Sequence, residues 1–105
     1  MLEAAGKFII AAPGTMFSAT FVIDGIIHIF TGTFGGTSVE PTDGVVTLTY
    51  NALGDLTDAH NFSGVIGATP IKITLDNGNE ITGTLTNPIS LGNSVSGTGK
   101  WNNAN

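Results

Sequence analysis

The chain has 105 residues, of which 41% are hydrophobic and only 10% charged, with a net charge of −5. Three lysines, no arginine and eight acids exclude a nucleic-acid interface, which needs a basic footprint, and disfavour an anionic membrane surface. Cysteine is absent, so neither a disulfide framework nor a cysteine-ligated metal is available.

The opening "MLEAAGKFIIAAPG" lacks a basic n-region, and its apolar run is too short for a signal peptide. No stretch reaches the roughly 18 apolar residues of a spanning helix. An intracellular chain and a mature secreted form both fit, so the localisation stays unknown. The first strand is expected at Gly6–Ala11, closed by Pro13-Gly14.

Met16–Ile23 and Ile26–Phe34 alternate with period two around Asp24-Gly25, a strong two-residue hairpin signal. That turn pairs Ile23 with Ile26, Phe21 with His28, Ala19 with Phe30 and Phe17 with Gly32, giving one nearly continuous apolar face. The other face then carries Val22, Ile27 and Ile29 among Ser18, Thr20, Thr31 and Thr33.

Further strands are expected at Val45–Asn51, Asn61–Gly67, Ile71–Leu75, Glu80–Thr86 and Ser94–Trp101. The intervening "ALGDLTDAH" at 52–60 supports at most one helical turn. In the second registrable hairpin, a two-residue turn at Asn77-Gly78 would mix the faces. A three-residue loop, Asp76-Asn77-Gly78, pairs Ile73 with Ile81 and Ile71 with Gly83. Because a one-residue slip flips every side chain, the three-residue loop is the consistent choice.

Eight short strands with turn signals between them predict an all-β domain over 1–105: a small closed, mainly antiparallel eight-stranded β-barrel, with a two-sheet β-sandwich as the alternative. Both registrable hairpins end in the same idiom, Thr31-Gly32-Thr33 and Thr82-Gly83-Thr84. The idiom resembles strands of avidin-like and other closed meander barrels over these short hairpins. Such a resemblance implies a ligand site lined by tryptophans, whereas Trp101 is the only tryptophan here.

Glycine recurs on the core face: Gly32, Gly64, Gly83 and Gly97 should all point into the barrel interior. Glycine weakens a strand and packs nothing, so its repetition needs a reason. One reason is steric, room for Phe17, Phe21, Phe30, Phe34, Phe62 and Trp101 in a narrow barrel. The other is a cavity that holds a small ligand. The steric reading is preferred, because side chains usually fill small barrels.

Candidate sites are few. His28 sits on the apolar face with no obvious acid or nucleophile to serve catalysis, so a buried hydrogen-bonded or rim histidine is expected. Asp55, Asp58 and His60 could gather around a metal, but Asp also forms turns and caps, and no metal or other cofactor is expected. Asn61-Phe62-Ser63 matches a glycosylation acceptor inside an apparent strand. No Walker loop, GxGxxG–helix unit, GxSxG elbow or HExxH occurs, so an enzyme is not expected.

Tyr50, Asp58, His60 and Trp101 are the candidate ligand-binding residues, for a glycan or a small apolar ligand at the barrel mouth or loop tips. Trp101 also falls on the core face by alternation, where it would plug a barrel end. Val22, Ile27 and Ile29 form an outward apolar patch, the mark of a contact surface. The leading expectation is therefore a non-enzymatic binding or assembly module acting as a homo-oligomer. A lectin-like binder is one alternative. A membrane-active protein using the 16–34 hairpin is the other.

Overall fold

The computed structural model describes residues 2–104. It contains β1 (Leu2–Ile10), β2 (Met16–Ile23), β3 (Ile26–Phe34), β4 (Thr42–Tyr50), a 3₁₀ turn (Leu53–Asp55), β5 (Ala59–Ile66), β6 (Pro70–Leu75), β7 (Glu80–Leu85) and β8 (Asn93–Ala104). The strands close into one antiparallel barrel in the order β1-β2-β3-β8-β5-β6-β7-β4. The barrel, not the sandwich, is therefore the architecture.

Both hairpin registers follow from the turn chemistry. Ile23 pairs with Ile26, Phe21 with His28, Ala19 with Phe30 and Phe17 with Gly32. Asp24 and Gly25 both take positive φ, 52° and 78°, as a tight two-residue hairpin turn requires. In the second hairpin Ile73 pairs with Ile81 and Ile71 with Gly83. Its three-residue loop places Gly78 at φ 89°.

Strand limits differ mainly at the two ends of the chain. β1 starts at Leu2 rather than Gly6, because Leu2 to Ala5 find partners on β4, from Tyr50 to Thr47. β8 runs on past Trp101, because Asn102 and Asn103 pair with Ile29 and His28. Asn102 and Asn103 are polar, and Glu and Ala are poor strand formers, so neither extension stands out in the sequence.

The topology is not the meander that the hairpin resemblance implied. The meander β1-β2-β3 is followed by a fourth strand that returns beside β1, giving the order 4-1-2-3 of a Greek key. The second half repeats it as 8-5-6-7. Two Greek keys thus close on each other through β3–β8 and β4–β7. The two idiomatic hairpins, β2-β3 and β6-β7, hold equivalent places in the two keys.

The crossovers repeat the same device. The β3–β4 loop buries Val39, whose N–H donates to the Gly14 carbonyl (2.9 Å). The β7–β8 loop buries Ile89, whose N–H donates to the Ala68 carbonyl (2.9 Å), beside Gly67. Gly14 and Gly67 have φ of 87° and 100°, and a Cβ at either would collide with the incoming residue. The crossovers also join each other: Asn87 Nδ2 donates to Asp43 Oδ1 (2.7 Å), and the Ser90 N–H donates to Glu40 Oε1 (3.2 Å).

The interior is filled by rings. Phe17 is the hub, with centroids 5.2 Å from Phe8, 5.9 Å from Phe30, 5.5 Å from Phe34 and 5.1 Å from Phe62. Gly32 lies beneath the Phe17 and Phe62 rings, and a Cβ there would overlap both. The ring above Gly32 comes chiefly from its hairpin partner on β2, not from across the barrel. Two further glycines take the same role, Gly6 under Phe21 and Gly99 under Phe30.

Gly64, Gly83 and Gly97 need a different explanation. A Cβ on each would run into the neighbouring strand's backbone, at the carbonyls of Lys72, Val45 and Thr33 respectively. These positions fall in line with the inward residues of their strands, yet they serve strand coiling rather than room for rings.

Candidate functional site

Two places on the barrel carry the candidate residues. The first is the outer face of β4-β1-β2-β3. Val22 and Ile27 are directly paired and point to solvent, 60% and 38% exposed. Val45 on β4 is 62% exposed, and Ile9 on β1 and Met16 on β2 are exposed too. Ala5, Gly6, Lys7, Thr20, Val22 and Val45 line one shallow groove across these strands. Ile29 is only half-buried beside them. The N-terminal segment does not cover the patch, because β1 joins the sheet edge-on and turns Phe8 and Ile10 inward.

The second place is the barrel end where β4, β6 and β8 finish and β3, β5 and β7 begin. The Asn51–Asp58 loop crosses it, and its Leu56 is fully buried among core residues although its sequence neighbours are polar. Tyr50, the last residue of β4, and Trp101, near the end of β8, are both inside, 5% and 4% exposed. Trp101 packs on Phe30 (5.1 Å between centroids) and Phe21 (6.3 Å). Asp58 is exposed and His60 half-buried at the rim. The four candidate ligand residues therefore share one end, but their two aromatic rings face the interior and form no exposed stacking platform.

The rim carries a well-formed clasp. His60 Nδ1 lies 2.7 Å from Asp76 Oδ1, and Nε2 lies 2.8 Å from the Thr57 carbonyl. Asp76 Oδ2 accepts the Asn61 N–H (3.0 Å), so the β6–β7 turn is tied to β5. Two acceptors facing both ring nitrogens suit an imidazolium, which donates from each. Burial opposes that charge, but the Asp76 bond, the Thr57 carbonyl and the charges of Asp76 and Asp58 outweigh it, raising the His60 pKa above 6.5. The Asn61 N–H and His60 in turn hold the Asp76 carboxyl below its ordinary value. His60 is thus paired with an acid from another loop rather than with Asp55 and Asp58. Among the described residues no three His, Asp or Glu side chains converge as metal ligands would.

His28 is buried as expected, at 4% exposure, but it is not hydrogen-bonded. Neither ring nitrogen has a partner among the described residues. The same holds for Trp101 Nε1 and for both amide atoms of Asn79, which is 0% exposed. Asn79 is a residue that sequence reasoning missed. The register that turns Ile81 inward also turns Asn79 inward, so the signal was present. Asn61 stands on β5 with its side chain exposed, accepting from Thr98 Oγ1 (2.9 Å).

The chain matches no protein-family model, no curated protein and no solved structure.

Proposed function

We propose that the protein is a non-enzymatic β-barrel module that assembles with copies of itself through the outer face of β4-β1-β2-β3. The observation that carries this reading is the directly paired, solvent-facing Val22 and Ile27, continued by Ala5 and Val45 across the strip. Contiguous exposed apolar surface of this kind marks a contact. A chain that is only 10% charged has little repulsion to keep copies apart.

The strip suits a second copy in particular. Glu3, Ala5, Lys7 and Ile9 alternate outward along β1, and all four are exposed. A two-fold axis through Ala5 sets Lys7 of each copy opposite Glu3 of the other, with Val22, Ile27 and Val45 flanking. A self-complementary patch of this form is what an isologous dimer needs. A stable interface takes about 800 Å² per partner, a modest share of the 5315 Å² accessible surface.

The non-enzymatic part rests on the only imidazole–carboxylate pair described. His60, at the start of β5, and Asp76, in the exposed β6–β7 turn, meet at the rim with both ring nitrogens occupied, and no nucleophile among the described residues joins them. Membrane insertion is less well supported. Spanning barrels carry an apolar band all round and a polar lumen, whereas this interior is aromatic and the β5–β8 exterior is mostly Ser, Thr, Asn and Lys.

Sedimentation equilibrium tests the reading. The wild type is expected to run as a dimer or larger assembly, and Val22→Asp with Ile27→Asp as a folded monomer. A monomeric wild type at high concentration, with both variants silent, overturns it. Charge reversal at Lys7 alone should weaken association, and Glu3→Lys added to Lys7→Glu should restore it.

A further inference from the structure

The unpaired polar side chains of the interior are not scattered. His28 lies near the start of β3, Asn79 immediately before β7, and Trp101 near the end of β8. All three mark the same barrel end, and all are more than nine-tenths buried. β3 and β8 are neighbours, with Phe30 paired to Trp101 and His28 to Asn103. β7 stands on the opposite wall, with three strands between it and β3 in either direction round the barrel. The groups therefore look into one end layer from both sides. A buried polar atom without a partner destabilises a fold, and three side chains contributing five such atoms to one layer form a pattern.

We propose that this layer is a binding site for a small uncharged molecule carrying a hydrogen-bond donor and acceptor side by side, of the primary-amide type. Trp101 Nε1–H can only donate. The Asn79 amide donates from Nδ2 and accepts at Oδ1, and an imidazole such as that of His28, in its neutral form, offers one of each. The set is balanced between donors and acceptors and contains no carboxylate or ammonium, which selects a neutral ligand. A primary amide is self-complementary to the Asn79 side chain, and its carbonyl is the acceptor that the indole N–H lacks. Anions meet Asp58 and Asp76 at the rim and a chain of net charge −5.

The size follows from what closes the layer. On the inner side Phe21, Phe30 and Trp101 pack together, so the ligand cannot enter the aromatic middle. On the outer side Leu56 covers the end. The ligand proposed is therefore one of only a few heavy atoms. Leu56 belongs to a loop fastened at two points, by His60 Nε2 to the Thr57 carbonyl (2.8 Å) and by the Trp101 N–H to the Asp58 carbonyl (3.1 Å). Entry requires this loop to lift, and the second fastening sits on the backbone of a ligand-contacting residue. This site and the outer strip share no residue, so each can fail without the other.

The single tryptophan supplies the test. Uniformly ¹⁵N-labelled protein has one indole N–H resonance, which reports Trp101 directly. Titration with acetamide should move that resonance saturably and raise the melting temperature, because a ligand selective for the native state stabilises it. Benzene, the apolar control, should do neither. Asn79→Leu should retain the barrel and abolish the acetamide response. Trp101→Phe, read by melting temperature, should reduce it. If Asn79→Leu does not fold, His28→Leu serves as the second variant. Three results overturn the proposal: no saturable response in folded wild-type protein, an equal response to benzene, or an indole proton held by a long-lived water that acetamide does not displace.

Discussion

The two Greek keys share one topology but are furnished differently. In the first, β1 to β4, the inward residues include Phe8, Phe17, Phe21, Phe30 and Phe34, and the outward ones include Ile9, Met16, Val22, Ile27 and Val45. In the second, β5 to β8, the interior is mainly aliphatic, with Ile66, Ile71, Ile73, Leu75, Ile81 and Leu85. Its exterior is dominated by Ser63, Thr74, Thr82, Thr84, Ser96 and Thr98, with Val65 on β5 and Leu91 in the β7–β8 loop as its large exposed aliphatics among the described residues. Topology and furnishing are therefore separable. Alternation, turns and glycines specify the key. The choice of residue on each face gives one key most of the ring network inside and a sticky surface outside, and gives the other a polar coat, with only Phe62 and Trp101 joining the rings from its side.

The largest expected effect breaks the ring network. Phe17→Ala removes the hub of five packed phenylalanines and should cost about 3–5 kcal/mol by chemical denaturation. Ile73→Val, in the aliphatic half, should cost about 0.5–1.5 kcal/mol. Equal losses would mean that the halves do not differ in packing.

The next contrast concerns the equivalent glycines of the two idiomatic hairpins. Gly32→Ala and Gly83→Ala should each cost about 1–3 kcal/mol through overpacking. The obstacles differ: rings of Phe17 and Phe62 at Gly32, the Val45 backbone at Gly83. Phe17→Leu should therefore recover part of the stability lost in Gly32→Ala, and no side-chain trimming should recover that lost in Gly83→Ala. Rescue of both would show that the two glycines are the same device after all.

The smallest effect belongs to the His60 clasp, which has no counterpart in the first key. Its raised pKa means that the imidazolium contributes stability fully below pH 6.5 and loses it as pH rises through the folded value. Asp76, with its pKa lowered, contributes above its ordinary value of 3.8 and loses that contribution as pH falls. The difference in melting temperature between wild type and His60→Gln should thus be largest around pH 5–6 and shrink by pH 8. The groups facing the ring are Asp76 from the β6–β7 turn and Asp58 from the capping loop, so Asp58→Asn should lessen the difference. A pH-independent difference would show that the clasp works without charge.

What the sequence revealed tracks what is local. Asp24-Gly25 and Asp76-Asn77-Gly78 each dictate a turn, and each turn dictates a register, so both hairpins were legible to the residue. Eight alternating segments were enough for a barrel. The Greek-key order was not legible, because nothing in the 35–41 or 86–92 loops announces which strand comes next. Val39 and Ile89, the residues that anchor those crossovers, look like stray aliphatics in polar loops. At the barrel end, His28 and Trp101 could be assigned to the interior by alternation. That neither would find a hydrogen-bond partner could not, because a partner is set by distant strands. Tyr50 and Trp101 attracted attention as aromatics near loops, and the barrel turns both inward.

Neither key closes a sheet by itself. Each leaves one edge at β3 or β7 and another at β4 or β8, and each edge is satisfied only by the opposite key. In that sense the chain is a dimer written as one polypeptide. The Asn51–Asp58 segment acts as a tether, setting the effective concentration at which one half meets the other. Cut there, two free halves would have to find each other by diffusion, and the β3 and β4 edges would stand open to any half that arrived first, including one from a neighbouring molecule.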